Sequence, residues 1–378
     1  MHQSTHRRKW FVYIYNTKTN LIMKKLSAIA MLLFAAMIFQ YCSKKDSTSS
    51  VITAQPTLPT VPFTYNISYP AHIQASLVVN DNTVAGNVIT DNGATLGRVL
   101  FYDKQLSKNN TISCGSCHKQ QFSFDDNIAK SKGFEGGFTD RNSMAILNIR
   151  FYKSGKMFWD ERAATVEKQA LQPIQNHVEM GLTLAELETK VKALNYYPAL
   201  FENAFASSVI DSNKIANALA QFERSIVTYQ AKYDRVKQGL ESFTAAEALG
   251  ETIFNTAPTP PPGGATPASC ATCHTPPMFI NSQAPPFAFP DPTDLGINNQ
   301  NRFKSGSLRN VGVRTALFHN GSITNLQAML TAGAPGSGTT PIPAHSVAPQ
   351  DVLNLIAFMN TLTDNTVTTE VKFSDPFR

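Results

Sequence analysis

Two five-residue stretches constrain this chain of 378 residues more than anything else in it: Cys114-Gly115-Ser116-Cys117-His118 and Cys270-Ala271-Thr272-Cys273-His274. In Cys-x-x-Cys-His the two thiols sit on one local turn at the separation of a haem's two vinyl groups, and the next residue directs an imidazole at the iron. Two such matches, with His in the same place in both, point to two covalently bound c-type haems. The competing readings are a four-thiolate zinc site assembled from both pairs and a thioredoxin-like dithiol. Neither requires a His directly after each second Cys.

A chain this long exceeds one ordinary domain. A covalent haem is a large apolar body, so a small helical domain can build its core around it. Apolar residues at i, i+3 and i+4 predict helices over 92–102, 165–174, 184–194, 215–229, 244–254 and 350–362, and strand-like alternation is scarce. Thr183 with Glu186, and Thr244 with Glu247, have the spacing of capping boxes. One helix leads into each Cys-x-x-Cys-His, and the Pro/Gly run 258–267 reads as an insert before the second. This approximate repeat predicts an all-α protein made of two cytochrome-c-like haem domains in tandem, residues 70–240 and 241–378, the second ending in a tail.

The formal net charge of +6 owes much to the N-terminus, where His6, Arg7, Arg8, Lys9, Lys18, Lys24 and Lys25 cluster, so nucleic acid is not implied as a partner. Residues 1–22 read as an extension upstream of a true start at Met23. Residues 23–42, with a basic start and an apolar middle, have the plan of a secretory signal, and 43–69 form a Ser/Thr/Pro-rich linker. Cys42 follows the apolar run as the lipidated Cys of a bacterial lipoprotein does, although Phe39, Gln40 and Tyr41 stand where small residues are usual. An exported protein is expected, periplasmic or held at the outer membrane through Cys42. An uncleaved anchor and a plain cleavage site are the alternatives.

Further blocks carry a resemblance: Arg141-Asn142, Leu147-Asn148, Phe158-Trp159-Asp160-Glu161-Arg162-Ala163, Gln169, Pro173-Ile174-Gln175-Asn176, Val178-Glu179-Met180-Gly181, Ser307-Leu308-Arg309-Asn310-Val311 and Phe318-His319-Asn320-Gly321. With the two haem motifs they make the chain, from about residue 96 to 362, similar to the bacterial dihaem cytochrome c peroxidases and their MauG-type relatives. The resemblance implies that the haem on Cys114, Cys117 and His118 meets peroxide, with Gln169, Pro173 and Glu179 around it and Glu179 moving the proton. It implies that Trp159 lies between the haems on the electron path. A calcium ion would be held by Asn142 with the backbone carbonyls of Arg314 and Ala316.

Two departures stand out. The stretch 119–140, where many relatives carry a His that caps the resting iron, contains none, so an open first iron is expected, with His177 the nearest spare cap. The position that supplies the sixth ligand of the second haem, on Cys270, Cys273 and His274, falls on Gly333. Met329 is then the closest thioether, and Met278 and His345 are further candidates. The function implied is reduction of hydrogen peroxide to water with electrons from a small redox protein such as a cytochrome c or cupredoxin. The alternatives are MauG-like oxidation of a partner protein or small molecule through a stored high-valent state, and a non-catalytic dihaem electron carrier. A homodimer is one arrangement open to such a chain.

Overall fold

A computed structural model describes residues 54–260, 268–281, 293–332, 345 and 347–378. The chain runs through α1 (Ala71–Asn80), α2 (Asp91–Tyr102), α3 (Cys114–Cys117), α4 (Val166–Gln175), α5 (Leu184–Ala193), α6 (Tyr197–Phe205) and α7 (Ser212–Ser225). It continues through α8 (Lys232–Lys237), α9 (Ala245–Asn255), α10 (Cys270–Cys273), α11 (Leu326–Ala332), α12 (Pro349–Asn360) and α13 (Thr366–Thr369). Among the described residues β-pairing is limited to isolated bridges, so the all-α expectation holds. Among them, too, no helix is long and apolar enough to cross a membrane.

Local chemistry sets the helix starts. Thr90 accepts the Gly93 N–H to open α2, and the capping boxes of Thr183 with Glu186 and Thr244 with Glu247 form as the spacing predicts. Helix α7 ends at Ser225, short of the expected 229, because stronger partners claim the next residues. Asn148 donates its N–H to the Ile226 carbonyl at 3.0 Å and accepts the Thr228 N–H at 2.9 Å, while the Asp364 carboxylate accepts the N–H groups of Tyr229 and Gln230.

The two halves repeat one construction. Helix α2 crosses α7 at Gly97, where an added Cβ would lie 2.0 Å from the Ala218 carbonyl oxygen, and α9 crosses α12 at Gly250, where it would lie 2.0 Å from that of Asn354. One turn on, Phe101 meets Phe222 with ring centroids 5.2 Å apart and Phe254 meets Phe358 at 5.3 Å. Beyond each haem motif an Asn in the left-handed region, Asn148 (φ 61°) or Asn310 (φ 57°), bonds to the segment leaving the second helix of the crossing. Matching bridged turns follow, Met157 with Ala163 and Leu317 with Ile323, containing Phe158 (φ 69°) and Phe318 (φ 70°). Counting on from these two phenylalanines sets Trp159 opposite His319 and Gln169 of α4 opposite Met329 of α11.

Each crossing has its own apolar cluster, one around Leu96, Phe101 and Phe222, the other around Phe254, Leu355 and Phe358; a third joins Tyr69, Ile149, Phe151 and Met278. Residues Gln55–Arg378 form one compact unit. The end of the expected linker is packed onto it: Tyr65 is 2% exposed, its hydroxyl donates to the Lys372 carbonyl at 2.7 Å, and Thr57 N–H donates to the Pro376 carbonyl at 2.7 Å. The tail closes the first cluster, which Val367 and Phe373 join. Between elements, Arg309 makes a bidentate pair with Asp234 (2.6 and 2.8 Å), both fully buried, and His72 of α1 adds a contact to the same carboxylate at 2.9 Å. The extension 1–22, the signal segment with Cys42, most of the Pro/Gly insert and Gly333 lie outside the described residues.

Candidate haem sites

Each Cys-x-x-Cys forms a single helical turn, α3 or α10, followed by its His. His118 Nδ1 lies 3.2 Å from the Phe124 carbonyl oxygen and His274 Nδ1 lies 3.1 Å from that of Gly306. A carbonyl only accepts, so Nδ1 carries the proton in both rings and Nε2 keeps the lone pair a metal needs. Burial lowers both imidazole pKa values, that of His274 to about 4, with the nearby His345 adding to the effect. Both rings are therefore neutral at neutral pH.

Burial also raises the thiol pKa values: Cys117 to about 11, Cys270 to about 12, and Cys114 and Cys273 upward as well. Thiols held neutral lack the thiolate character of a reactive dithiol. Among the described residues no group of three or more His, Cys, Asp or Glu is arranged to hold a metal ion, so the two Cys pairs do not converge as a four-thiolate zinc site requires. Two thiols and an oriented neutral imidazole at each motif fit a covalently attached haem.

Around the first motif, α4 buries Val166, Ala170 and Ile174 and leaves Gln169 and Pro173 half-buried one turn apart on a common face. The Pro173 carbonyl accepts the N–H groups of Asn176 and Met180, and Asn176 Oδ1 accepts those of Val178 and Glu179. These bonds reverse the chain and set Glu179. The loop after the first motif grips this reversal from outside. Phe134 N–H donates to the Glu179 carbonyl at 3.1 Å, and Gly133 approaches so closely that a Cβ there would lie 1.7 Å from the Val178 carbonyl oxygen. Burial raises the Glu179 pKa, Arg162 opposes that and Asp140 adds to it. The Glu179 charge in turn raises both Cys114 and Cys117, which sets its carboxylate within electrostatic reach of the first motif. His177 is exposed.

Sequence reasoning missed Glu223. It is buried on α7, burial pushes its pKa to about 8, its charge reaches Cys114, and among the described residues its Oε2 has no hydrogen-bond partner. The available signal was a carboxylate beside Phe222, inside the apolar stripe of the helix.

The second motif opens on a cavity with about 880 Å³ free of protein atoms, part of it open to solvent. His274, Cys273, Trp159, Asn142, Met329 and His345 are among the residues lining it, and so are Arg314 and Ala316. Met278 is not. Its side chain is 1% exposed in the third apolar cluster, which removes it as a ligand for this site. Trp159 Nε1 donates to the Asn142 carbonyl at 2.8 Å, and Asn142 N–H donates to the His319 carbonyl at 2.7 Å. Asn142 Nδ2 reaches the carbonyls of Ile128 and Ala129 at 3.3 and 3.2 Å, so this residue ties the loop of the first motif to the wall of the second cavity. Beside Trp159, Lys304 is buried with Nζ 3.8 Å from the centre of the Tyr152 ring, and burial lowers its pKa to about 7.

Comparison with known proteins points to one family. The family model for di-haem cytochrome c peroxidase matches residues 91–242. Cytochrome c551 peroxidase of Nitrosomonas europaea is 30% identical over 284 residues, 71% of this chain and 79% of that protein. Methylamine utilization protein MauG of Methylorubrum extorquens is 29% identical over 293 residues, 73% of this chain and 79% of that protein. A solved MauG-like protein associated with microbial copper homeostasis superposes with a TM-score of 0.68 at 26% identity, covering 84% of this chain and all of that one. The diheme peroxidase BthA of Burkholderia thailandensis shares the fold at a TM-score of 0.61 and 20% identity, covering 75% of this chain and 89% of that one.

Proposed function

Because this chain belongs to the di-haem cytochrome c peroxidase family, we propose that it reduces hydrogen peroxide to water outside the cytoplasm, with electrons from a small redox protein such as a cytochrome c or a cupredoxin. Covalent haems, on Cys114 and Cys117 with His118 and on Cys270 and Cys273 with His274, supply the iron chemistry that takes up electrons and passes them to peroxide.

The observation that carries the reading is the placement of Glu179. It is held by Asn176 and Phe134 at the first motif, in surroundings that raise its pKa. A carboxyl that keeps its proton to higher pH than a free one is suited to moving that proton from one peroxide oxygen to the other. Gln169 and Pro173, half-buried on one face of α4, form the wall that orients peroxide toward Glu179 and limits water. Trp159, tied to Asn142, stands on the route from the second site to the first. Calcium would be held by the Asn142 side chain with the carbonyls of Arg314 and Ala316, a reading supported by these three residues lining one cavity. Residues 70–240 and 241–378 serve as peroxide-reacting and electron-accepting halves, and lipidated Cys42 tethers the exported protein.

One observation favours a second reading. The loop after the first motif has no His in 119–140 and is anchored against the Glu179 reversal, an arrangement that would offer the first iron no imidazole cap from this loop. This suits MauG-like oxidation of a partner. The test is peroxide-dependent oxidation of a reduced cytochrome by the purified holoprotein. Turnover lost in Glu179→Gln with both haems retained supports the peroxidase. Absence of turnover with a modified partner protein supports the second reading, and indifference to peroxide rejects both.

A further inference from the structure

The repeated construction gives each haem motif a helix on its far side, α4 in the first half and α11 in the second. In the first half the return from α4 is closed by Leu182, whose N–H donates to the Ile174 carbonyl at 2.9 Å, and it presents Glu179 to the site. In the second half the Val347 N–H donates to the Leu330 carbonyl of α11 at 3.1 Å. His345, the described residue between α11 and Val347, lines the cavity together with His274 and rests edge-on against Phe318 with ring centroids 5.5 Å apart.

Met329 also lines the cavity. It occupies the place that Gln169 holds in the first half, and its side chain packs against the second apolar cluster beside Ala328 and Leu330. We propose that His345, not Met329, is the sixth ligand of the iron carried by His274, so that the second haem has an imidazole on each face. The assignment rests on the two-haem reading given above. It sets the second haem at a lower reduction potential than a thioether would, because thioether ligation raises the potential of a c-type haem.

The experiment uses the oxidised full-length holoprotein, with electron paramagnetic resonance, near-infrared magnetic circular dichroism and a redox titration, and with pyridine haemochrome counting of haems per chain. Two haems per chain, one giving a low-spin bis-imidazole ferric signal, is the expected result. That signal is lost in His345→Ala and unchanged in Met329→Leu. In His345→Met it gives way to a thioether-to-iron charge-transfer band with a raised potential, and this variant decides the matter if His345→Ala loses haem. A thioether band in the unaltered protein that disappears in Met329→Leu overturns the proposal, as does a bis-imidazole signal that survives His345→Met. Fewer than two haems in the unaltered protein overturns the two-haem reading itself and is distinguished from the former outcomes by the count.

Discussion

The indole of Trp159 and the imidazole of His319 meet edge to face, ring centroids 6.4 Å apart, from equivalent stations in the two halves of the chain. His319 in turn stacks on Phe303 at 3.7 Å with the planes 4° apart, so three rings continue one another, the outer two, Trp159 and Phe303, lining the second cavity. Trp159→Phe keeps an aromatic ring and removes the hydrogen bond to the Asn142 carbonyl. Electron passage between the sites should slow at least about tenfold, equivalent to about 1.4 kcal/mol in the barrier, with haem content unchanged. Stopped-flow mixing of the reduced protein with peroxide measures it, and a rate equal to that of the unaltered protein would remove Trp159 from the path.

Gly97→Ala and Gly250→Ala each place a methyl group 2.0 Å from a carbonyl oxygen of the crossing helix, which backbone cannot yield cheaply. Overpacking of this kind costs about 1–3 kcal/mol, and both variants should show a lowered midpoint of thermal unfolding. Gly86→Ala is the control, since its φ of +83° carries backbone strain but nothing lies within 4 Å of the added carbon. If the three variants melted alike, close helix approach would not be the reason for Gly97 and Gly250.

Glu223 predicts a pH dependence of stability. Burial raises its carboxyl from the ordinary 4.5 to about 8, so between those values the folded chain keeps a proton that the unfolded chain has lost. Its contribution is intact below 4.5 and is lost as pH rises toward 8. Glu223→Gln mimics the protonated form and should flatten that decline, gaining on the order of a few kcal/mol relative to the unaltered protein at pH 8 and little at pH 5. Urea unfolding of both holoproteins at the two pH values tests this, and parallel pH slopes would refute it.

Arg309 and Asp234 are both fully buried, so removing one charge strands the other. Arg309→Met should destabilise by about 3–5 kcal/mol, while the double change with Asp234→Leu should recover much of the loss. Failure of the double variant to recover would locate the effect in the Arg309 contacts to the Pro277 carbonyl instead.

The haem motifs, the capped helices and the repeat could be read from local pattern because each depends on residues close in sequence. Thr183 with Glu186 names its own helix start. Helix α1 could not be read this way, since Pro70 provides no side-chain cap and Ile73 is its one buried residue. The true end of α7 is set by Asn148 and Asp364, far away in the chain, and no window around 215–229 contains them. Met278 stood behind Met329 as a further thioether candidate in sequence, and the packing of the third apolar cluster takes it away from the second cavity. Glu223 was hidden for the same reason, its unusual surroundings being made by helices and thiols elsewhere.

Tyr65 and Tyr102 donate to the carbonyls of Lys372 and Phe373, and Phe373 fills a place among Tyr65, Phe124 and Phe222. Synthesis delivers a polypeptide from its amino end, so the earliest-made half stays unroofed until this far-downstream segment arrives. Under the covalent attachment proposed above, the porphyrin at Cys114 and Cys117 would have a window set by chain delivery, and a molecule clipped before Phe373 would leave that half open to solvent even with its other half complete.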